Sequence, residues 1–291
     1  NLNFLFSFFQ SPSTQRSMKK KSAGSTIFYI PQVEFMLLRG QFPNYFEQQK
    51  IGSFLECLDK IITSLEHKNN RLNIIKTALL DKILLKEGID VPKIRFRGFA
   101  SKWKKNRLGE VASLRGGFAF QSNKFLSEGI PIIKIGNILP DGTIGGDFNY
   151  YAEQANDENY SLLNGAALLA MSGATTGKVS ILCNPDNEKM YQNQRVGYFQ
   201  NSIKAEYSFV TTLVRSDLFT CQLNSVLVAG AQPNVSSKEI NAFEFYFPSE
   251  KKEQEKIGTF FKKLDSLIAL QQRELGKLKN IKKACLEKMF I

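Results

Sequence analysis

Gln48-Gln49-Lys50-Ile51-Gly52-Ser53-Phe54 opens a long helical pattern that runs to about Leu84. The same pattern returns as Gln254-Glu255-Lys256-Ile257-Gly258-Thr259-Phe260 and runs to Ile291. A Phe-Pro pair precedes each copy, Phe42-Pro43 and Phe247-Pro248. A repeat on this scale fixes the architecture before any single residue is weighed. In the first copy Ile51, Leu58, Leu65, Leu72 and Leu79 recur at heptad spacing, and Leu55, Ile61, Ile62, Ile75 and Ile83 supply the alternate seam. In the second copy Ile257, Leu264, Leu278 and Cys285 hold the heptad around a polar break at Gln271. Phe260, Leu267, Leu275 and Ile281 supply its other seam. A narrow apolar seam sustained this long must face a partner helix of similar length. The chain holds two such helices, each about 60 Å long at helical rise. Two ordinary core helices are the competing reading, and the charged flanks speak against it.

The repeat reaches back beyond the helices. Phe4 to Pro43 matches Phe209 to Pro248 in length, with Phe4 against Phe209, Ser11 against Ser216 and Glu34 against Glu239. The counterpart of residues 93–208 has no match before Phe4. Residues 1–43 are therefore expected to pack poorly on their own or to need a partner, with Phe4, Phe6, Phe8 and Phe9 short of core.

The formal net charge of +12 and a pI near 9.4 suit a polyanionic partner. Lys93, Arg95, Arg97, Lys102, Lys104, Lys105 and Arg107 form a basic run without an acid among them, which is equally what a solvated linker contains. Cys57, Cys183, Cys221 and Cys285 lie far apart without paired ligand spacing, which suits a reducing cytoplasm and argues against a disulfide frame or a zinc site. His67 is the single histidine, so a histidine-based triad has no material. No apolar stretch is long enough to span a membrane free of charges. The apolar start, Asn1 to Phe9, lacks a basic leader and reads as the inside of a larger domain.

Between Lys93 and Pro248 the pattern becomes mixed. Strand-like runs at 130–135, 166–171, 179–183, 196–199 and 243–247 alternate with turns such as Asp141-Gly142 and Gly145-Gly146-Asp147. A helical stretch is expected from about Tyr207 to Val228, and Ser236 with Glu239 makes a capping box for a short helix. Gly88 and Pro92 stand as stop signals after the first long helix.

Ser172-Gly173-Ala174-Thr175-Thr176-Gly177-Lys178-Val179 approaches a phosphate-binding loop. Its glycine spacing is one residue short, and Val179 stands where a magnesium-binding hydroxyl belongs, so nucleotide hydrolysis is unsupported. The stretch would suit close approach to a phosphate, but from spacing alone a tight glycine turn with no ligand is the favoured reading. Tyr191-Gln192-Asn193-Gln194-Arg195-Val196 is richer, because carboxamides pair with adenine edges and arginine with guanine. A polar loop facing water is the plainer alternative. Arg115-Gly116-Gly117-Phe118 is a further glycine turn with a base and an aromatic, and Ala229-Gly230-Ala231-Gln232-Pro233-Asn234 is a weaker case. No glycine-rich cofactor loop of a methyltransferase follows any strand, and the acids of Pro185-Asp186-Asn187-Glu188-Lys189 are too close together for a nuclease metal site.

In combination these stretches resemble the DNA specificity subunit of type I restriction–modification systems. The carriers are the two Phe-Pro and Lys-Ile-Gly helices, Pro92 to Phe99 with Trp103 and Leu108-Gly109-Glu110, Gly116 to Phe120, Gly129 to Ile135, Met171 to Gly177 and Gln192 to Gly197. The resemblance implies an α+β chain: a mixed α/β target-recognition domain flanked by two long helices forming an antiparallel coiled coil. The expected boundaries are 1–43 for the remnant of a first recognition domain, 44–85 for the first helix, 86–249 for a complete recognition domain and 250–291 for the second helix. The departure is at the start, where only the tail of a first recognition domain is kept. The implied role is non-catalytic recognition of double-stranded DNA at a bipartite site, the helix pair setting the spacing of the half-sites. Modification subunits with S-adenosylmethionine would methylate adenine, and restriction subunits with ATP and magnesium would join them. No cofactor is expected in this chain, and a second copy of it is a further partner if it works as a half-length subunit. Expected DNA contacts are Arg115, Lys134, Thr175, Thr176, Lys178, Asn193, Gln194 and Arg195, with lysines on phosphates and Asn193, Gln194 and Arg195 on bases. The rival class is a self-contained DNA methyltransferase or nuclease with a fused recognition domain. A coiled-coil adaptor is a third, and it leaves the Gly- and Asn-rich middle unexplained.

Overall fold

A computed structural model describes residues 1–22, 29–139, 141–227 and 233–290. Four helices come first: α1 (Leu2–Gln10), α2 (Pro12–Lys21), α3 (Gln32–Met36) and the long α4 (Tyr45–Ile83). Next are β1 (Lys104–Arg107), α5 (Leu108–Val111), β2 (Leu114–Arg115), β3 (Ile130–Ile133), β4 (Asn149–Tyr151), β5 (Ser161–Leu162), β6 (Ala167–Ala170), β7 (Val179–Ile181), β8 (Met190–Gln192) and β9 (Val196–Phe199). The chain closes with α6 (Tyr207–Leu213), α7 (Asp217–Leu227), α8 (Ser237–Asn241), β10 (Glu244–Phe247) and the long α9 (Lys251–Met289). Two compact units result, Asn1–Ile75 with Leu264–Ile291, and Lys76–Lys263.

In the first unit the long helices run antiparallel. Asp59 meets Lys282 at 2.5 Å and Glu66 meets Lys279 at 2.6 Å, so numbers rise along one helix as they fall along the other. Leu55 packs with Leu286 and Phe290, and α1 lays Phe4 and Phe8 onto the same cluster. Asn44 caps α4 by accepting from the Glu47 amide at 2.9 Å.

The expected heptad positions are covered to differing degrees. Leu58 and Ile257 are buried, and Ile51, Leu65, Leu72, Leu79, Leu264 and Leu278 are half-buried. The alternate seam needs correction. Ile61, Ile75, Phe260, Leu267 and Ile281 are exposed, and the inward positions are Leu55, Ile62, Asn69, Lys76 and Ile83 on α4 and Phe261, Ile268, Leu275 and Lys282 on α9. Alternating steps of four and three residues from each heptad position select these sites whatever side chain sits there. Asn69 and Gln271 are thus buried polar groups within an apolar seam.

The expectation for residues 1–43 divides in two. Phe4, Phe8, Ser7, Ser11 and Thr14 are buried, whereas Val33, Met36, Leu37 and Phe42 are exposed.

The repeat recurs as contacts. The Gln48 amide donates to the Pro43 carbonyl at 2.9 Å, and Gln254 donates to the Pro248 carbonyl at 2.7 Å. The side-chain oxygen of Gln48 accepts from the Asn1 amine, and that of Gln254 accepts from the Glu206 amide. A Cβ on Gly52 would lie 2.7 Å from the Phe4 amide nitrogen, and one on Gly258 would lie 2.6 Å from that of Phe209. Glycine in mid-helix costs helix stability, and here it admits another backbone at close approach. Glu253 is fully buried and takes a two-pronged bond from Arg95 at 2.7 and 2.8 Å, while its counterpart Glu47 is exposed.

The second unit holds two four-stranded sheets, β2-β9-β6-β7 and β4-β3-β8-β5, and the pair β1-β10. Among the described strands β3 and β8 are the one pair that runs parallel. Ile133, Ile138, Leu162, Leu168, Ala170 and Val196 share one core cluster. Because β6 is buried along its whole length, it reads as an unbroken apolar run. A second cluster joins Ile132, Tyr151, Tyr160 and Tyr191, with Phe120 and Phe125 against it. The helical stretch from Tyr207 breaks at Val214–Ser216 into α6 and α7, and the Ser236–Glu239 capping box is formed. β1 is a lysine-rich strand that pairs with β10, so its charge hides its strand character.

Candidate nucleic-acid interface

The parallel pairing of β3 with β8 decides where the polar loops meet. Parallel strands end at the same sheet edge, and Ile133 stands opposite Gln192. Lys134, the residue after β3, and Asn193, the residue after β8, therefore emerge together. The Asn193 amide donates to the Ile133 carbonyl at 3.1 Å. The turn Asn193–Arg195 carries the chain from β8 into β9 in the other sheet. There Val196 pairs with Ala170 at the end of β6, and the Met171 amide donates to the Arg195 carbonyl at 3.0 Å. The Ser172–Lys178 loop follows, and the Thr175 hydroxyl donates to the Ile135 carbonyl at 3.2 Å. Three loops from two sheets thus form one hydrogen-bonded rim holding Lys134, Thr175, Thr176, Lys178, Asn193, Gln194 and Arg195.

The side chains on the rim differ in what they offer. Gln194 and Arg195 are exposed, and neither side chain meets a polar partner among the described residues. Asn193 is half-buried, and its side-chain oxygen accepts from the Arg195 amide at 3.3 Å. Lys134 reaches Asn149, and its loop is fixed by buried Asn137, which accepts from the Lys134 amide and donates to the Gly145 and Asp147 carbonyls. The Thr176 hydroxyl donates to the Gly173 and Pro233 carbonyls. Committed donors of this kind leave the two threonines only acceptor capacity, which a phosphate cannot use.

The glycine loop is a tight turn, not a cradle of free amides. The amides of Gly173, Thr176, Gly177 and Lys178 donate to the carbonyls of Pro233, Gly173, Ala170 and Thr175. Gly177 has φ +87°, and a Cβ there would sit 2.3 Å from the Leu223 side chain. Four of the motif's amides are thus spent within the turn, and the charged group it still offers an anion is the Lys178 side chain. Ala229–Gln232 of the weaker glycine motif lies outside the described residues.

Arg115, an expected contact, has its guanidinium engaged within the fold beside Gln192. The Arg115 guanidinium lies 4.9 Å from the Tyr198 ring, donates to the carbonyls of Glu158 and Ser161 at 3.0 Å each, and donates to the Gln192 side-chain oxygen. Burial holds its pKa below the usual arginine value, and an arginine remains charged even so. Gln192 has no exposed surface. Sequence order places Gln192 two and three residues before exposed Gln194 and Arg195, yet β8 is covered on both faces there, with Tyr191 and Gln192 both fully buried. Phe118, quoted in the glycine turn but not among the expected contacts, lies beside the rim. Its ring is exposed, stacks on Tyr160 at 4.8 Å, and its backbone bridges to Asn193.

No group of histidine, cysteine or acidic side chains able to hold a metal ion occurs among the described residues, and no helix there is long and apolar enough to cross a membrane. Residues 100–280 match the family described as the type I restriction modification DNA specificity domain. The chain belongs to that family. A specificity chain recognises DNA for a restriction–modification system and does not itself carry out catalysis. The fold agrees. The type I S subunit from M. genitalium superposes with a TM-score of 0.71 at 18% identity, over 100% of this chain and 73% of that one. The HsdS subunit from Thermoanaerobacter tengcongensis gives 0.53 at 16% identity, over 99% and 69%. A chain from a structure addressing complex assembly and conformational transition of the type I restriction–modification system gives 0.57 at 15%, over 97% and 69%. Among curated proteins no sequence match was found.

Proposed function

We propose that the rim reads one half of a bipartite site in double-stranded DNA. The observation that carries this is the convergence of Lys134, Lys178, Asn193, Gln194 and Arg195 at one edge of the second unit, with Gln194 and Arg195 unengaged. Lysines there are suited to phosphates, which position the duplex, and the amides and the guanidinium to base edges, which specify it. The net charge of +12 favours the same partner. Residues 1–43 belong to a first recognition domain and 86–249 form a second, and the helices spanning 44–85 and 250–291 set the spacing between half-sites.

Adenine methylation is then the work of modification subunits with S-adenosylmethionine, and cleavage that of restriction subunits with ATP and magnesium. Exposed Ile61, Ile74, Leu267, Leu270 and Ile281 on the outer faces of the long helices offer apolar ground for such subunits. A second copy of the chain is the alternative source of the second half-site reader. Methylome sequencing of cells carrying this chain with a modification subunit tests the reading. A bipartite motif means a complete reader has assembled, and a palindromic one means two copies of this domain. Methylation without any sequence context that depends on the chain would contradict it.

A further inference from the structure

We infer that Gln192 and Arg115 form a positioning pair that holds the reading rim in register, an assignment that rests on the rim being the DNA-reading surface. Gln192 is fully buried, and its carboxamide is bonded on both sides. The oxygen accepts from the Arg115 guanidinium at 3.3 and 3.2 Å. The nitrogen donates to the Arg115 carbonyl at 2.9 Å and to the Val196 carbonyl at 2.6 Å. Those two carbonyls bracket the rim, because Arg115 leads into the Gly116–Phe118 turn and Val196 follows Arg195. One side chain therefore closes the stem of the Asn193–Arg195 turn and fastens it to its neighbour.

The backbone completes the clip. The Phe118 amide donates to the Gln192 carbonyl and the Gln194 amide to the Phe118 carbonyl, both at 2.9 Å. This approach needs Gly117, where a Cβ would lie 2.2 Å from the Gln192 carbonyl oxygen. Arg115 in turn is anchored by Glu158, Ser161 and Tyr198, so the clip is tied to β5 and β9. Base reading demands side chains held to within about half an ångström, and a buried, fully bonded support supplies that. Contacts to phosphate tolerate more play. Lys134 has its own support in Asn137, and Lys178 sits on a separate loop. Loosening the pair should therefore cost discrimination between sequences before it costs general affinity for DNA.

The experiment uses the full chain assembled with a modification subunit and three duplexes: the methylome-derived motif, that motif with one base pair changed, and unrelated DNA. Gln192→Met keeps volume and removes the amide, and Arg115→Lys keeps charge and removes the fork. Each is expected to lower the preference for the motif over the changed duplex roughly tenfold or more. Binding of Gln192→Met to unrelated DNA, and its salt dependence, should stay at the wild-type level. Folded variants with unchanged preference would overturn the pair, as would equal losses on all three duplexes. Should Gln192→Met not fold, Arg115→Lys decides, because it leaves the Arg115 carbonyl bond to Gln192 in place. Arg195→Ala separates the two layers. If it lowers the preference and the paired variants do not, the clip is wrong and the surface stands. If it changes nothing, the surface and the clip fall together.

Discussion

Tyr191 shows how a residue beside the rim serves the fold. Its ring has no exposed surface, its hydroxyl donates to Asp157 at 2.7 Å and accepts from the Gln154 amide at 2.9 Å, and burial with that bond pushes its pKa up to about 12. The same hydroxyl, with Lys189 second, holds the Asp157 carboxyl below the usual carboxylate range. A carboxyl depressed in the folded state stabilises at pH above its unfolded value, and the contribution is lost as pH falls through the folded value. Tyr191→Phe should accordingly lower the melting temperature at pH 7, and thermal scans should find the gap to wild type narrowing below about pH 4. A gap that is constant from pH 7 to pH 3 would remove Asp157 from the account. On the rim, Arg195→Ala should cost about 1–3 kcal/mol of preference for the motif, the loss expected of a guanine-reading arginine. Competition binding checks it. At this scale the sequence was legible by residue type and spacing, and it pointed to Asn193, Gln194 and Arg195 together. It could not show that the Arg115 guanidinium is engaged within the fold, because its partners Glu158, Ser161 and Gln192 lie far away in the chain.

At the scale of elements the repeat was the most legible feature, and its limits are equally physical. Glycine at the fifth position of each quoted helix stretch looks like a weak helix former. Structure makes it a contact point, with the Ser208–Phe209 backbone against Gly258. Two effects of Gly258→Ala can be weighed. Helix propensity gains about 1 kcal/mol, and overpacking against backbone costs about 1–3 kcal/mol. A net loss is expected, and chemical denaturation should show a lower midpoint with an unchanged slope. The seam tells the same story in reverse. Apolar side chains such as Ile61 and Phe260 attracted assignment to it, yet helix geometry places Asn69, Lys76 and Lys282 there instead. Hydrophobicity marked the helices and only the four-and-three stepping marks their faces. Leu58→Asp puts a charge at a buried seam position and should cost about 3 kcal/mol or more. Leu264→Asp, at a half-buried one, should cost less. Both should weaken assembly with modification subunits in size-exclusion runs, and normal assembly would count against the seam.

For the whole molecule, two helices of 39 residues each span about 58 Å. Their antiparallel pairing in the first unit was foreseen from the family resemblance, since heptad spacing alone sets no direction. A recognition domain between repeated helices, a basic balance of charge and a rim on which Gln194 and Arg195 stand exposed and unengaged point to one activity. That activity is sequence choice exercised on behalf of other subunits. The most direct measurement is methylome sequencing of cells carrying a modification subunit with the wild-type chain, beside cells carrying Arg195→Ala. Methylated adenines are expected in a fixed context with the wild-type chain, and in a context relaxed at one or two base positions with the variant. An identical, undegraded context from both chains would contradict it.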